Sequence, residues 1–162
     1  MASQDYRMNM QIKRIAQSEY NLVTGLFDQY RVFYKQASDI ALAEKFIRER
    51  LENNESVVFL ALSDDGSPAG FTQLYPIYSS VRAVKNWLLN DLYVDAAYRR
   101  KGIAEALIKA AMDFAKSEGS TYVKLETAYD NYTAQSVYEA IGFKKQEAET
   151  GYFTYRIEVT RQ

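Results

Sequence analysis

Stretches of helical and of strand periodicity alternate along this chain, and their order restricts the possible folds more than any other feature of the sequence. The clearest helix is Lys101–Glu118, where apolar residues recur three or four positions apart from Ile103 to Phe114 and Gly119 follows the last turn. The unbroken apolar run Val57–Leu62 is typical of a buried strand. Together these patterns predict an α/β fold in which helices pack on a sheet.

The remaining elements complete the order β-α-α-β-β-β-α-β-α-β-β. The other predicted strands are Met8–Ile15, Gly70–Tyr78, Lys85–Val94, Tyr122–Thr127, and an antiparallel pair, Phe143–Glu147 and Phe153–Val159. The other predicted helices run from a Ser18 cap to about Tyr34, from an Asp39 cap to Asn53, and from Thr133 to Ala140. Pro76 predicts an edge or a bulge near the end of its strand. The 162 residues contain no linker or repeat, so we expect one domain, residues 1–162, with a mixed sheet of about seven strands and about four helices on its faces.

Composition excludes several functional classes. The chain has no Cys and no His, which removes disulfides, thiolate nucleophiles, Ser-His-Asp machinery and most transition-metal sites. Carboxylates alone could still hold Mg²⁺ or Ca²⁺, but no acidic spacing typical of a calcium loop occurs, and we predict no metal. The net charge of −1 favours neither nucleic acid nor a membrane as partner, and no apolar run reaches the roughly 18 residues that span a bilayer. The polar start of the sequence lacks a signal peptide's apolar stretch, so the expected location is cytoplasmic.

A basic turn connects the strand that ends at Val94 to the helix that follows it. The turn carries Arg99, Arg100 and Lys101, and Gly102 stands at the start of the helix. A helix N-terminus presents unpaired N–H groups and the positive end of the helix dipole, an arrangement that binds phosphate or pyrophosphate. The alternative is a solvated basic turn before an ordinary helix, since R-x-x-G-x-A is a short motif.

The short helix after the strand Tyr122–Thr127 is the second candidate. Asn131 precedes it, and Ala134 and Tyr138 lie one turn apart on one of its faces. A phenol is neutral at pH 7 and can donate a proton to a leaving group, which makes Tyr138 a candidate general acid. The alternative is a helix capped by Asn131 or Thr133, with Tyr138 in the core.

Together the two segments resemble the GNAT superfamily of acetyl-CoA-dependent N-acetyltransferases. R-x-x-G-x-A follows a strand and N-x-x-A-x-x-x-Y-x-x-x-G-F comes about thirty residues later; the resemblance is strongest over Leu88–Phe143, and the element order extends it to nearly the whole chain. Within the superfamily, Leu89–Val94 (LNDLYV) is similar to the diamine branch, although this chain has Asn90 where that branch has an acid, and Ala96 where many relatives have Pro. The resemblance implies a mixed, mostly antiparallel GNAT-like sheet. It also implies an enzyme that moves an acetyl group from acetyl-CoA to a primary amine by direct attack in a ternary complex.

The resemblance also implies where the coenzyme binds. In relatives the pantetheine arm lies between two splayed parallel strands, and the pyrophosphate lies on the basic turn and the helix N-terminus. Tyr138 would protonate the departing thiolate, and a backbone N–H near Val94 would stabilise the oxyanion. The implied coenzyme contacts are Leu92, Tyr93, Val94, Arg99, Arg100, Lys101, Gly102, Ile103, Ala104, Glu105, Asn131, Ala134 and Tyr138.

Acetyl transfer to an amine requires a base. A primary amine with a pKa near 10.4 is about 0.04% neutral at pH 7, so it must lose a proton before attack. Without His, the base is a carboxylate or a water that a carboxylate holds, and Glu126 and Asp91 are the two candidates. The alternative for each is a strand-end carboxylate in a salt bridge.

Relatives build the acceptor site from the first two helices and the loop between them, where aromatic and acidic side chains can hold a cationic amine. The candidates here are Tyr30, Tyr34, Asp39 and Tyr75, with Phe33, Tyr78 and Trp87 as further members. The alternative is an amphipathic core stripe. We expect the acceptor to be a small-molecule amine or a protein amino group, and the protein to be a homodimer, as relatives commonly are. The alternative function is a non-catalytic module that binds or senses acyl-CoA.

Overall fold

Residues 10–146 and 151–159 are described by a computed structural model of the chain. The chain divides into two units, Met1–Glu126 and Thr127–Gln162. Among the described residues, the first unit holds the sheet and three α-helices, and the second holds one α-helix. Within the described ranges, none of the helices has the length and apolar character needed to cross a bilayer.

The sheet of the first unit has five strands among its described residues. The strands are β1 (Gln11–Arg14), β2 (Val57–Leu62), β3 (Pro68–Ser79), β4 (Val84–Val94) and β5 (Val123–Lys124). The helices are α1 (Asn21–Phe33), α2 (Ile40–Glu52) and α3 (Ile103–Ser117), with 3-10 turns at Gln17–Glu19 and Ala96–Tyr98. The strands lie in the order β1-β2-β3-β4-β5, and every neighbouring pair is antiparallel except β4 and β5. The predicted α/β class and the mixed, mostly antiparallel sheet are confirmed.

Helices cover both faces of this sheet. α1 and α2 pack on one face, where Val58 and Phe71 join a buried cluster with apolar residues of both helices. α3 packs on the other face, where the rings of Phe114 and Phe59 have centroids 5.9 Å apart. Because successive residues of a strand point to opposite faces, β2 contacts different helices with alternate side chains. This explains why Val57–Ala61 is both continuously apolar and continuously buried.

The first two helices differ from prediction at one end only. α1 begins at Asn21 rather than directly after Ser18, which lies instead in a 3-10 turn. In that turn the carboxylate of Glu19 accepts the N–H of Ala16 at 2.8 Å, so a side chain satisfies the backbone before the helix begins. Asp39 caps α2 as predicted, and its carboxylate accepts an N–H of the first turn at 3.0 Å.

Two features of the sheet bear on the site. Pro76 lies where β3 pairs with β4 alone, because the pairing of β2 with β3 ends at Leu74; the predicted edge position is confirmed. β5 is much shorter than the predicted Tyr122–Thr127, since only Val123 and Lys124 pair with β4. β4 therefore extends well beyond its parallel neighbour.

The second unit contains helix α4 (Tyr132–Ile141), close to the predicted Thr133–Ala140. The prediction of about seven strands is wrong for the part of the chain described, which has five, because residues 143–146 and 151–159 form no strand. Glu147, the end of one predicted strand, lies outside the described residues. Apolar alternation over 153–159 predicted the other strand, yet Phe153 and Tyr155 are 88% and 91% exposed. Alternation alone does not make a strand when no neighbour pairs with its backbone.

Candidate active site

One edge of β4 is open over the second half of the strand. β4 pairs with β5 only at Trp87 and Leu88. On its other side it stays paired with β3 as far as Val94. From Leu89 onward, no strand among the described residues pairs with this edge. An edge of this kind can accept an extended, amide-containing ligand in the way that it would accept another strand.

Backbone alternation decides which groups this edge presents. The carbonyl of Asp91 accepts the Thr72 hydroxyl at 2.8 Å, and the N–H of Asp95 donates to Ala69 at 2.9 Å, so both residues turn their backbone groups toward β3. Residues 92 and 94 then point the other way, because N–H and C=O directions alternate along an antiparallel strand. Of the predicted strand contacts, Leu92 and Val94 therefore present N–H groups to the open edge.

Tyr93, the third predicted strand contact, turns its backbone toward β3. A Cβ built on Gly70 of β3 would lie only 2.9 Å from the Tyr93 carbonyl oxygen, a distance that real Cβ atoms do not reach. Glycine is therefore required at position 70 for the two strands to approach. The ring is the only part of Tyr93 that faces the region of the site.

Side chains hold the closed end of the gap between β4 and β5. The Asn86 carboxamide oxygen on β4 is buried and accepts the Thr121 N–H at 2.8 Å and the Thr121 hydroxyl at 3.0 Å. It also accepts the Tyr122 N–H at 3.3 Å, and the Ser120 hydroxyl donates to the Lys85 carbonyl at 2.8 Å. These bonds attach the segment just before β5 to the first part of β4.

The N-terminus of α3 lies directly after the open strand. Gly102 is the N-cap, with φ of 74°, and no side chain caps the helix. A Cβ at Gly102 would meet nothing within 4 Å, so the left-handed φ, and not crowding, is what requires glycine there. Uncapped first-turn amides beside the exposed side chains of Arg99, Arg100 and Lys101 fit a diphosphate.

Two of the predicted turn contacts have further features. Arg99 donates from Nε to the Val94 carbonyl at 3.1 Å, and its guanidinium lies 5.8 Å from the centre of the Tyr93 ring. Arg99 therefore contacts the same strand end that presents the open edge. Glu105, in the first turn of α3, is exposed, and only its backbone N–H suits an anion.

A β-bulge at Asn90 changes the face of the sheet to which the following side chains of β4 point. Gln73 of β3 pairs with Asp91 and Leu74 pairs with Leu89, so Asn90 is an extra residue. Before the bulge, the Trp87 ring packs on Phe114 of α3, with centroids 5.0 Å apart. Four residues later, where simple alternation would keep the same face, Asp91 instead hydrogen-bonds Tyr30 of α1.

Asp91 is a buried carboxylate that neutral groups surround. It is 3% exposed and accepts hydrogen bonds from the Gln73 side-chain amide, from Nδ2 of Asn90 at 2.8 Å and from the Tyr30 hydroxyl. Burial raises the pKa of the Asp91 carboxyl, and these three donors offset only part of that effect. A raised pKa suits a group that must take a proton near neutral pH.

Two predicted acceptor residues lie around Asp91. Burial, and then the Asp91 charge, raise the pKa of Tyr30. The same two causes, in the same order, raise the pKa of Tyr75. Both phenols therefore stay protonated and can donate to a carboxylate or to a ligand. The structure thus brings together Tyr30, Tyr75 and Asp91, three residues that the sequence analysis selected.

A cavity of about 460 Å³ lies next to this cluster. Its lining consists of Asp28, Gln29, Val32, Phe33, Ser38 and Tyr93. The Phe33 and Tyr93 rings have centroids 6.4 Å apart, and the Tyr30 and Tyr93 rings 6.5 Å. The cavity thus lies beside the Asp91 cluster, with aromatic rings of α1 and β4 in its wall.

The acid that lines this cavity is Asp28, which the sequence analysis did not select. Asp28 is buried; it accepts the Ser38 hydroxyl at 2.6 Å and the Asp39 N–H at 2.8 Å. The Ser38 bond, followed by the Asp39 bond, lowers the pKa of Asp28. The predicted acid, Asp39, is exposed and its carboxylate caps α2, as described above. Asp28 therefore anchors the loop that carries Asp39.

Two other predicted acceptor residues lie apart from the Asp91 cluster, and a third lies at its margin. Trp87 is buried on the opposite face of the sheet, because it precedes the bulge. Tyr78 is exposed near the tip of the β3–β4 hairpin, beside Lys85. Tyr34 is exposed at the end of α1 and packs on Tyr30, with ring centroids 4.9 Å apart.

Glu126, the second candidate base, has a solvated environment. Its side chain is 81% exposed and lies 3.8 Å from the Lys124 ammonium. This is the salt-bridge arrangement that the sequence analysis gave as the alternative for an acid near a strand end. The geometry of the first unit therefore favours Asp91 as the base.

The predicted residues of the second unit lie on α4. The Asn131 side chain caps the helix, accepting the Ala134 N–H at 3.2 Å, which is one of the alternatives stated for Asn131. Ala134 and Tyr138 are half-buried and one turn apart. The Tyr138 ring packs on Phe143, with centroids 6.0 Å apart. The Phe143 N–H donates to the Tyr138 carbonyl at 3.0 Å.

Two features escaped the sequence analysis although each left a signal. The consecutive polar residues Asn90 and Asp91 interrupt an otherwise apolar strand, and this break in alternation marks the bulge. Asp28 continues the buried row of Thr24 and Phe27 on α1. A charged residue in such a row implies a specific set of hydrogen bonds.

Comparison with known proteins gives consistent matches. The sequence model of the Acetyltransferase (GNAT) family matches residues 20–143. An uncharacterized N-acetyltransferase of Bacillus subtilis is 42% identical over 150 residues, which cover 93% of this chain and 98% of that protein.

Solved structures agree with the sequence matches. The crystal structure of a probable acetyltransferase has a TM-score of 0.83 at 34% identity, covering 94% of this chain and 99% of that chain. An aminoglycoside N-acetyltransferase in complex with CoA has a TM-score of 0.76 at 21% identity, covering 94% of this chain and 97% of that chain; it shares the fold.

Proposed function

This chain belongs to the Acetyltransferase (GNAT) family, and on that premise we propose how its residues carry out acetyl transfer to a primary amine. The chain is an acetyl-CoA-dependent N-acetyltransferase. Acetyl-CoA supplies the acetyl group as a thioester, and the acceptor nitrogen attacks it directly. The observation that carries the assignment of residues is the open edge of β4, which leads from buried Asp91 to the uncapped N-terminus of α3.

The coenzyme contacts follow from that edge. The N–H groups of Leu92 and Val94 pair with the pantetheine arm and polarise the thioester carbonyl. The uncapped amides from Gly102 to Glu105 hold the diphosphate, and Arg100 and Lys101 add positive charge. Arg99 has a second role, because it also fixes the Val94 end of the strand.

Asp91 is the general base in this proposal. The acceptor enters as an ammonium ion, and the carboxylate of Asp91 takes its proton, either directly or through one water. The new bond joins the acceptor nitrogen to the acetyl carbon, the nitrogen loses a second proton to solvent, and the carbon–sulfur bond breaks. A buried carboxylate of raised pKa performs this role better than the solvated Glu126, whose charge Lys124 already pairs.

Tyr138 is the general acid that protonates the departing thiolate. A neutral phenol is a suitable donor at pH 7. The support for this role is the motif that runs from Asn131 to Phe143, which lies inside the matched range 20–143. Asn131 and Ala134 complete the coenzyme contacts on the same helix, where Asn131 also acts as the cap.

Three wider assignments belong to the same proposal. Residues 1–162 act as one domain, since the family match extends across the boundary between the two units. The protein is a homodimer, in which the exposed apolar side chains of 152–159 become buried. The acceptor is a small-molecule amine or a protein amino group, and the expected location stays cytoplasmic.

A coupled thiol-release assay over a panel of amines tests the assignment. Asp91→Asn and Tyr138→Phe should each lower kcat by about 10²–10⁴-fold while acetyl-CoA still binds. The matched controls are Asp113→Asn, an exposed acid on α3, and Tyr132→Phe, an exposed tyrosine of α4; both should retain activity. Coenzyme binding without turnover on any amine, or full activity of Asp91→Asn, would contradict the proposed roles.

A further inference from the structure

The groups around Asp91 and the cavity beside it also restrict the acceptor. We propose that the preferred acceptor is a monocationic primary amine on one aromatic or similarly sized apolar body, separated from the nitrogen by two or three carbons. This inference rests on the proposed function, because it places the reacting nitrogen at Asp91.

The charge of the site selects one ammonium group. Asp91 is 3% exposed, and among the described residues that act on its pKa none is a cation. A buried carboxylate with only neutral donors lacks a counter-ion, and a cationic ligand would supply one. An ammonium ion with its proton toward Asp91 is also in the position required for deprotonation.

The acid that lines the cavity, Asp28, and the acid on the loop that it anchors, Asp39, are both engaged and offer no free carboxylate to a second ammonium group. Asp28 accepts bonds from Ser38 and Asp39, and the Arg31 guanidinium lies 3.9 Å from its carboxylate. Asp39 caps α2. A diamine or polyamine would therefore have to leave its second charge without an anionic partner.

The body of the acceptor is defined by the aromatic wall. Asp91 and Tyr93 lie two residues apart on one face of β4, and two residues of strand span about 6.6 Å. Two or three carbons between nitrogen and ring bridge about that distance when the ring packs against Tyr93. Phe33, 61% exposed and in contact with the Tyr93 ring at a centroid distance of 6.4 Å, would then extend the same wall alongside the body.

The experiment compares kcat/KM for 2-phenylethylamine, 3-phenylpropylamine, methylamine, spermidine and a lysine-containing peptide. The two ring-bearing amines should exceed the others. Phe33→Ala should lower kcat/KM for 2-phenylethylamine by about 3–10-fold, the effect of losing one aromatic contact, and should leave methylamine within about twofold. Phe33→Leu, which keeps an apolar side chain, should recover most of the loss.

The outcomes separate this inference from the proposed function. A higher kcat/KM for spermidine or the peptide than for the ring-bearing amines overturns the inference and leaves the acetyltransferase in place. Equal effects of Phe33→Ala on 2-phenylethylamine and methylamine also overturn it. Failure to acetylate any amine, with acetyl-CoA bound, counts against the proposed roles of Asp91 and Tyr138 instead. Phe33 is exposed, so the variants should fold, and their melting temperatures verify this.

Discussion

The substitution Asp91→Asn should make the protein more stable and, at the same time, almost inactive. Asn keeps the shape of the side chain and removes a charge that is buried among neutral donors. Oε1 of Gln73 has no hydrogen-bond partner among the described residues. If the Gln73 carboxamide rotates by half a turn, its oxygen can accept a hydrogen bond from the side-chain N–H of the introduced asparagine. The substitution then does not place two N–H donors against each other.

The size of the stability change is a balance of two effects. Removing a buried charge that has no counter-ion stabilises the folded protein by about 1.4 kcal/mol for each unit by which burial raises the pKa of that group. Loss of charged acceptor bonds from Asn90, Gln73 and Tyr30 opposes this, at about 1.5–3 kcal/mol for the strongest of them. We expect a net gain of about 1 kcal/mol at pH 8, which raises Tm by about 2–4 °C for a chain of this length.

The pH dependence identifies the cause. Folding raises the pKa of this carboxyl group, so its ionisation destabilises the folded protein. The loss of stability begins as pH rises above the pKa of the unfolded state, about 3.9, and is complete once pH exceeds the pKa of the folded state. Below that window the wild-type Asp91 is protonated and resembles Asn. The advantage of Asp91→Asn should therefore be largest at pH 8 and shrink as pH falls toward the unfolded value of about 3.9.

Thermal unfolding from about pH 4 to 8, with kcat measured on the same samples, checks both parts of this prediction. The control Asp113→Asn removes an exposed carboxylate and should change stability by less than about 0.5 kcal/mol at any pH. A lower Tm than wild type at pH 8, or a stability difference that does not vary with pH, would refute the argument from burial. Retained activity would refute the assignment of the base.

Three other substitutions test the frame of the site. Gly102→Ala should cost about 1–2 kcal/mol, because alanine disfavours a φ of 74°, and should raise the KM for acetyl-CoA; thermal unfolding and initial rates measure this, with Gly102→Asn as the milder control. Asn86→Ala should lower the free energy of unfolding by about 1–2 kcal/mol and weaken coenzyme binding, because the segment before β5 loses its attachment to β4. The control Ser120→Ala removes one exposed hydrogen bond and should lower stability less. Equal losses of stability in the two variants would contradict this. Asp28→Ala should lower Tm above about pH 5, because folding lowers the pKa of the Asp28 carboxyl and its ionised form stabilises the protein. The difference in Tm should decrease below about pH 4, where the wild-type carboxyl becomes protonated. A difference in Tm that stays constant with pH would speak against Asp28 as the loop anchor.

The sequence predicts the helices and most strands because the spacing of apolar residues indicates which side chains are buried. Val57–Leu62 and Lys101–Glu118 bury their apolar side chains as their patterns require, and the Asp39 cap follows from local chemistry. The predicted strand over 153–159 failed for a related reason, since alternation describes the side chains of a strand but does not supply its partner.

The site is predicted less completely, because its geometry depends on register. Counting by two from Trp87 places Asp91 on the same face as Trp87, toward α3. Only the bulge at Asn90 puts Asp91 beside Tyr30, and only the pairing with Gln73 and Leu74 reveals the bulge. Asp28 depends likewise on long-range partners in the loop before α2.

The irregular features of β4 and its turn form one system. β2 and β3 are covered on both faces and carry the core, so they can support a neighbouring strand that gives up pairing along one edge. Beyond that edge the chain adopts left-handed φ values of 65° at Arg100 and 74° at Gly102, and a helix begins without a side-chain cap. Each feature reduces stability in isolation: an open edge, a buried charge and an uncapped helix end. Each also presents a group that a ligand can satisfy, namely the strand N–H groups, the Asp91 carboxylate and the α3 amides. Binding of acetyl-CoA and a cationic amine would therefore stabilise this segment of the folded chain.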